Sequence, residues 1–297
     1  MKSGIVAVVG RANAGKSTLI NVLVGEKVAI VSPKPQTTRE RILGVKNGDG
    51  YQIVFEDTPG IYKASSLLNE RMQKCTTLAA KDVDVILFLI DGHDGVKDED
   101  VENLKKYATG DIPLVLAFTK TDIMPKENIP LLADSVKDVE NIEKIVTLSA
   151  RRGKNIGKLL DEIVYLLPEG DPIYGDDVVS DRSERFMIAE IMREKILLKY
   201  DKEIPHGVAI IINTFEKQPN GVYDINLDIV CEKQNHKAII IGKGGAALKE
   251  VSSFARESME KFLGAKVFLT TYVKVKEDWR NNPSRLKEFG YGREEFE

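Results

Sequence analysis

Apolar residues fall along the first 167 positions in two alternating patterns. Short runs rich in β-branched residues stand at Ile5–Val9, Tyr51–Phe55, Val83–Ile90, Leu114–Phe118 and Ile145–Leu148. Continuous apolar runs of this kind suit strands covered on both faces. Between them, Ser17–Val24, Asn69–Ala80, Asp98–Tyr107 and Ile156–Leu166 have helical spacing. One pairing breaks the alternation. Arg41–Lys46, the turn Asn47-Gly48-Asp49-Gly50 and Tyr51–Glu56 predict an antiparallel hairpin. The sum is an α/β domain over residues 1–168, with helices on both sides of a mostly parallel six-stranded sheet.

A different pattern follows. Residues 169–181 contain Pro, Gly and Asp without helical period and predict a linker. Arg182–Lys199 is amphipathic, with Phe186, Ile188, Ala189, Ile191, Met192, Ile196 and Leu197 on its apolar side. Strand-like Val208–Phe215 and Val222–Val230 flank a Gln218-Pro219-Asn220-Gly221 turn. Helical Ala246–Phe262 and strand-like Lys266–Val275 complete an α+β module within 182–297.

Composition narrows the function classes. The 297 residues are 42% hydrophobic and 30% charged, which suits two folded domains. No apolar run approaches the roughly 20 residues that span a bilayer. The run after Met1 is short and passes directly into Gly10-Arg11, so it reads as a strand and not a signal peptide. Cys75 and Cys231 stand far apart, outside any CxxC, and fit a reducing cytoplasm. Net charge is −3, but residues 231–287 hold 12 Lys/Arg against 6 Asp/Glu, leaving −9 for the remainder. One acidic and one basic domain account for this, and so does ordinary variation of a solvated surface.

Gly10-Arg11-Ala12-Asn13-Ala14-Gly15-Lys16-Ser17 fits G-x-x-x-x-G-K-[ST] between an apolar strand and an apolar helix. Its curled backbone aims successive N–H groups at one centre, and the helix N-terminus adds positive potential. Lys16 is expected on the β- and γ-phosphates, with Ser17 on Mg²⁺ and Thr18 beside it. Asp57-Thr58-Pro59-Gly60 closes a strand, where Asp57 suits Mg²⁺ and the Gly60 N–H suits the γ-phosphate. Thr38 is either the second hydroxyl ligand of Mg²⁺ or an ordinary loop threonine. In Thr119-Lys120-Thr121-Asp122, the Asp122 carboxylate can accept from N1–H and the 2-amino group of guanine. Ser149-Ala150-Arg151 offers a further base contact through the Ala150 N–H. The usual motif begins with Asn where Thr119 stands, which predicts a weaker hold on the base.

The motifs GRANAGKST, PQTTR (Pro35–Arg39), DTPGI (Asp57–Ile61), SERFMIAEIMREKIL (Ser183–Leu197), IIIGKGG (Ile239–Gly245) and YVKVKEDWR (Tyr272–Arg280) together resemble the Era GTPases, bacterial ribosome-assembly factors. The resemblance covers nearly the whole chain. It departs at Thr119, and at Ala12 and Ala14, where Pro and Val are common. It implies a P-loop GTPase domain followed by a type II KH domain and GTP hydrolysis with Mg²⁺. It also implies binding to the 3′ region of 16S rRNA, action in 30S subunit biogenesis, a monomer, and peripheral association with a membrane.

Lys16, Asn13, Thr38 and Gly60 are the residues expected nearest the reaction. Ile61 occupies the place where Ras-like enzymes carry a water-orienting Gln, and an apolar side chain cannot orient water, so slow intrinsic turnover is expected. Related GTPases ligate K⁺ through an Asn at the position of Asn13, which otherwise simply fits a tight turn. Ile61 also leaves open an RNA-binding scaffold in which GTP is mainly a structural ligand.

Gly242-Lys243-Gly244-Gly245 matches the G-x-x-G loop with which KH domains clamp about four nucleotides. Ile239–Ile241 reads as a strand by propensity, but the KH order makes it the end of a short helix. Ile241, Lys243 and Lys249 are expected at RNA. Lys274, Lys276, Trp279 and Arg280 form either a basic rim with an aromatic for base stacking or a solvated edge over a packed Trp. Arg285 continues the basic tail.

Overall fold

The structure, a computed structural model, describes residues 1–61 and 65–291. The last six residues of the expected C-terminal tail therefore lie outside the described residues. The chain divides into two compact units. The first comprises residues 1–29, 38–63 and 72–181, and the second residues 30–37, 64–71 and 182–297.

In the first unit β1 (Lys2–Gly10), β2 (Ile42–Gly48), β3 (Tyr51–Asp57), β4 (Val85–Asp91), β5 (Leu114–Thr119) and β6 (Ile142–Thr147) form one sheet. Its order is β2-β3-β1-β4-β5-β6. Only the β2–β3 hairpin is antiparallel. The strands β1, β4 and β5 are buried on both faces, which is why their sequences are continuously apolar. One face packs beneath α1 (Lys16–Val24) and α5 (Ile156–Leu166), through Leu19, Ile20, Leu23, Leu159 and Ile163. The other carries α3 (Asp98–Ala108) and α4 (Ile129–Asp134), with Leu104 and Leu132 buried against Phe88 and Phe118. The helix α4 was not legible in the sequence, because only Leu132 of its six residues is buried. A further helix, α2 (Leu67–Ala79), runs from the second unit's residues into the first's.

The expected linker is not a loose tether. Its chain hydrogen-bonds along the exposed edge of β2: Val45 N–H donates to Val179 O at 2.9 Å, and Leu43 N–H to Asp181 Oδ1 at 3.0 Å. Buried Gln52 accepts from the N–H groups of Ile173 and Tyr174 at 2.7 and 2.9 Å. An open sheet edge is thus covered by the segment that leaves the domain.

The second unit carries α6 (Glu184–Lys199), β7 (Ala209–Lys217), β8 (Tyr223–Cys231), α7 (Gln234–Ile241), α8 (Ala246–Leu263), β9 (Val267–Val275) and α9 (Pro283–Glu288). β8 pairs antiparallel with β7 and parallel with β9. α6 and α8 bury Ile188, Ile191, Ile196, Val251, Ala255 and Met259 against this sheet. The Ser183 hydroxyl caps α6 by accepting from Phe186 N–H at 3.2 Å. The Ile239–Ile241 run is helical despite its β-branched side chains. Ile240 is buried while Ile239 is exposed, and the Tyr200 hydroxyl donates to Ile240 O at 2.9 Å. Tertiary burial on one helical face overrides propensity here.

Candidate nucleotide and RNA sites

Each expected nucleotide-binding segment lies at a strand end or the turn after one. The phosphate loop leaves β1 and closes on α1, whose N-cap Gly15 has φ 92°. Lys16 is buried, and its Nζ donates to the carbonyls of Gly10 and Arg11 at 3.0 Å each. Burial lowers its pKa to about 8, although Asp57 pulls the other way. Arg11, expected among the nucleotide contacts, turns its guanidinium toward Asp100 at 2.6 Å, while its carbonyl accepts from Lys16. Asn13 is exposed with φ 66° and serves the turn directly.

Ser17, Thr38 and Asp57 converge. Asp57 Oδ2 accepts from Ser17 Oγ at 2.7 Å and from Thr38 Oγ1 at 3.1 Å, and the two hydroxyls are 2.9 Å apart. The other carboxylate oxygen, Asp57 Oδ1, is buried without a hydrogen-bond partner in the protein. Two hydroxyls and a carboxylate with an unsatisfied oxygen are a hard-oxygen set suited to Mg²⁺. Burial raises the Asp57 pKa, opposed by those hydroxyls and by Lys16.

The turn after β3 is pressed against the phosphate loop. A Cβ at Gly60 would lie 2.7 Å from Ala12 Cα and 2.8 Å from Ala12 N, so only glycine fits. Ile61 N–H donates to Gly10 O at 3.3 Å. Thr58 Oγ1 donates to Val8 O at 2.8 Å, and Pro59 O accepts from Thr76 Oγ1 at 2.9 Å.

Thr119 Oγ1 lies 2.7 Å from Ala14 O, linking the end of β5 to the phosphate loop. Lys120, at φ 56°, pairs with Asp91 at 2.7 Å. Asp91 was not singled out by sequence reasoning, although it ends β4 as Asp57 ends β3. Thr121 donates to Leu148 O at 3.0 Å. Ser149 Oγ donates to Asp122 Oδ1 at 2.6 Å, and this bond leads the lowering of the Asp122 pKa. Asp122 is exposed, and Ala150 and Arg151 directly follow Ser149 in the chain.

In the second unit, the loop between α7 and α8 spans Gly242–Gly245. At Gly242, φ is 72° and a Cβ would lie 2.6 Å from Ala247 Cβ. Lys243 and Lys249 are exposed beside it, and Ile241 is half-buried. The expected aromatic platform is corrected by the structure. Trp279 is fully buried, donates from its indole N–H to Gly207 O at 2.9 Å, and stacks on Tyr291 with centroids 5.9 Å apart. It is core and cannot stack on a base. Arg280 pairs with Glu232 at 2.6 Å and Lys274 with Asp228 at 2.6 Å, so much of the expected basic rim is neutralised locally. Lys276 is half-buried.

The comparisons agree with this geometry. Residues 5–120 match the family model described as 50S ribosome-binding GTPase, and residues 203–280 match that of the KH domain. GTPase Era of Clostridium kluyveri is 43% identical over 291 residues, covering 98% of this chain and 99% of that protein. GTPase Era of Clostridium botulinum (strain Hall) is 44% identical over 290 residues, covering 98% of both. A solved variant of Aquifex aeolicus Era bound to GDP and AlF4⁻ matches with a TM-score of 0.93 and 39% identity, covering 98% of this chain and 99% of that one. Era in complex with MgGDPNP and nucleotides 1506–1542 of 16S ribosomal RNA matches with a TM-score of 0.94 and 39% identity over the same shares. With its P-loop GTPase domain and its type II KH domain both in place, the chain belongs to the Era family of GTPases.

Proposed function

We propose that this chain binds GTP and Mg²⁺ in its first unit, hydrolyses the γ-phosphate bond, and grips the 3′ region of 16S rRNA through the Gly242–Gly245 loop during small-subunit assembly. One observation carries the reading: Ser17, Thr38 and Asp57 meet beside a buried lysine, with Asp57 Oδ1 left unsatisfied. Mg²⁺ held there neutralises charge that develops on the phosphate oxygens. Lys16 meets the β- and γ-phosphates, the Gly60 N–H meets the γ-phosphate, and Asp122 selects guanine. Lys243 and Lys249 supply charge for RNA phosphates.

Ile61 offers no group that orients water, so intrinsic turnover is slow and waits on a partner. Multiple-turnover phosphate release, measured with and without small ribosomal subunits, tests this. Acceleration by subunits is expected, and loss of all release in Ser17→Ala. No release in either condition leaves only a scaffold that holds GTP structurally. K⁺ ligation by Asn13 belongs to the same reading and fails if Na⁺ and K⁺ give equal rates.

The protein acts as a cytoplasmic monomer, and its contact with the inner face of the membrane is peripheral. Cys75 and Cys231 are buried and form no disulfide, as a reducing compartment allows. Among the described residues, no helix is long and apolar enough to cross a membrane.

A further inference from the structure

The Gly242–Gly245 loop begins where α7 ends and passes directly into α8. Gly242, Gly244 and Gly245 have φ of 72°, 57° and 79°, and such a glycine-rich turn has little stiffness of its own. Its placement therefore falls to the two helix ends. The last four carbonyls of a helix tend to lack partners within it. In α7 the Ala238 carbonyl accepts from Gly242 N–H at 2.9 Å, and the Ile240 carbonyl accepts from the Tyr200 hydroxyl at 2.9 Å. Tyr200 is fixed in its turn. It caps α6 by donating its N–H to Ile196 O at 3.0 Å, and it packs in the core that holds Ile196, Ile240 and Val251. Burial, reinforced by Glu250, pushes the Tyr200 pKa up to about 12, so the hydroxyl keeps its proton and stays a donor. The preceding residue reaches the other helix: Lys199 Nζ meets Glu250 Oε2 of α8 at 2.6 Å. Glu250 is mostly exposed, so that ion pair contributes little, and the buried hydroxyl bond is the stronger strut.

The Ile240 carbonyl belongs to the peptide plane that ends at the Cα of Ile241, the residue before Gly242. A peptide unit is rigid, so holding its oxygen also fixes that Cα. We infer that Tyr200 is a positioning residue for RNA binding: its hydroxyl holds the end of α7 to the core and so sets where the Gly242–Gly245 backbone meets RNA. The inference rests on the reading of that loop as the RNA grip. Every group it uses lies in the second unit. Tyr200 is 6% exposed, too little to serve as an RNA contact itself. A clamp that works through close backbone approach depends on where its loop is held. Without the strut, the loop keeps its glycines and its lysine but loses a fixed place to present them.

The test measures affinity of the full-length protein for a fluorescently labelled RNA with the sequence of the 16S rRNA 3′ region. Tyr200→Phe keeps the core ring, changes no charge and deletes only the donor. Affinity should fall about fivefold, the size of one hydrogen bond, and amide hydrogen exchange in residues 240–246 should quicken. A merely structural loss would lower the melting temperature and leave the affinity of the folded protein as it was. A loop variant, Lys243→Asp with Gly244→Asp, is measured in parallel at low salt, alone and combined with Tyr200→Phe. Alone it should weaken RNA binding, since carboxylates repel phosphate. Adding Tyr200→Phe should then weaken it no further, because the two act through one loop. Unchanged affinity in Tyr200→Phe, with the loop variant weakened, overturns the positioning role alone. So does a fall from Tyr200→Phe that persists in full in the combined variant. If the loop variant binds RNA as the wild type does, the reading of the loop fails and the inference with it.

Discussion

Thr119 Oγ1 donates a 2.7 Å hydrogen bond to the carbonyl of Ala14, so the residue that ends β5 holds the phosphate loop from behind. Thr119 is 3% exposed, and the Ala14 side chain is buried as well. The contact joins the turn proposed to meet the base to the phosphate loop. The threonine therefore retains a tie between the two halves of the site.

Thr119→Val keeps the shape and deletes the hydroxyl. The acceptor is left unpaired at a cost of about 1–3 kcal/mol. Affinities for GDP and GTP should both fall, by about tenfold, because the loop serves both. Equilibrium titration with a fluorescent guanine nucleotide checks this, and a fall confined to one nucleotide contradicts it.

Asp122 accepts from Ser149, and that bond holds its carboxyl below the ordinary carboxylate range. It remains an acceptor-only group at neutral pH. Asp122→Asn replaces an acceptor by an amide donor. Guanine should lose about a hundredfold in affinity as its donors meet a donor. A purine with oxygen at position 2, such as xanthine, should gain. Competition between GDP and XDP reads the exchange.

Gly60 has Ala12 against it where a side chain would begin. Gly60→Ala forces the two loops apart at about 1–3 kcal/mol of overpacking. GTP hydrolysis should fall sharply while GDP binding persists, as the proposed contact of the Gly60 N–H with the γ-phosphate requires. Single-turnover phosphate release together with GDP affinity separates the two.

Burial lowers the Lys16 pKa to about 8, from the 10.5 ordinary for a lysine. A bound phosphate favours the charged form, so nucleotide binding recruits a proton when pH exceeds about 8. Below that pH the lysine is charged before and after binding, and no proton moves. Affinity for GDP should therefore decline as pH rises from 8 toward 10. Calorimetry at pH 8.5 in two buffers of different ionisation enthalpy should show proton uptake by the wild-type protein that Lys16→Met lacks. Equal uptake by both assigns the proton elsewhere.

Trp279→Ala should destabilise the second unit by about 3–5 kcal/mol, as large core truncations do. Trp279→Phe should fold and leave RNA affinity unchanged. Lys243→Ala should weaken RNA binding and reduce the slope of log affinity against log salt by somewhat under one. Electrophoretic or fluorescence titrations at several salt concentrations distinguish a core role from a phosphate contact.

Local chemistry explains which of these features were legible. Gly10–Ser17 is one contiguous stretch whose spacing alone curls the backbone, and it stands between a strand and a helix that the apolar pattern marks plainly. Asp57 and Thr119–Asp122 close apolar runs, so their place at the end of the sheet followed from the alternation of elements. The linker's composition was legible, but its pairing with β2 was not, because an edge strand and its cover are more than a hundred residues apart.

By itself, the sequence determined the order of elements, the phosphate-loop motif, the carboxylate proposed to select guanine and the G-x-x-G turn. Each depends on backbone geometry or spacing within a few residues. Only the tertiary structure decided which charges and aromatics are free. Trp279 reads as a surface aromatic until Gly207 and Tyr291 close over it. Arg280 reads as a free cation until Glu232 meets it. Arg193 reads as one more helix cation until the Thr37 carbonyl arrives from 156 positions away. Burial and ion pairing are set by whatever the fold brings alongside, and no short window of sequence contains those partners.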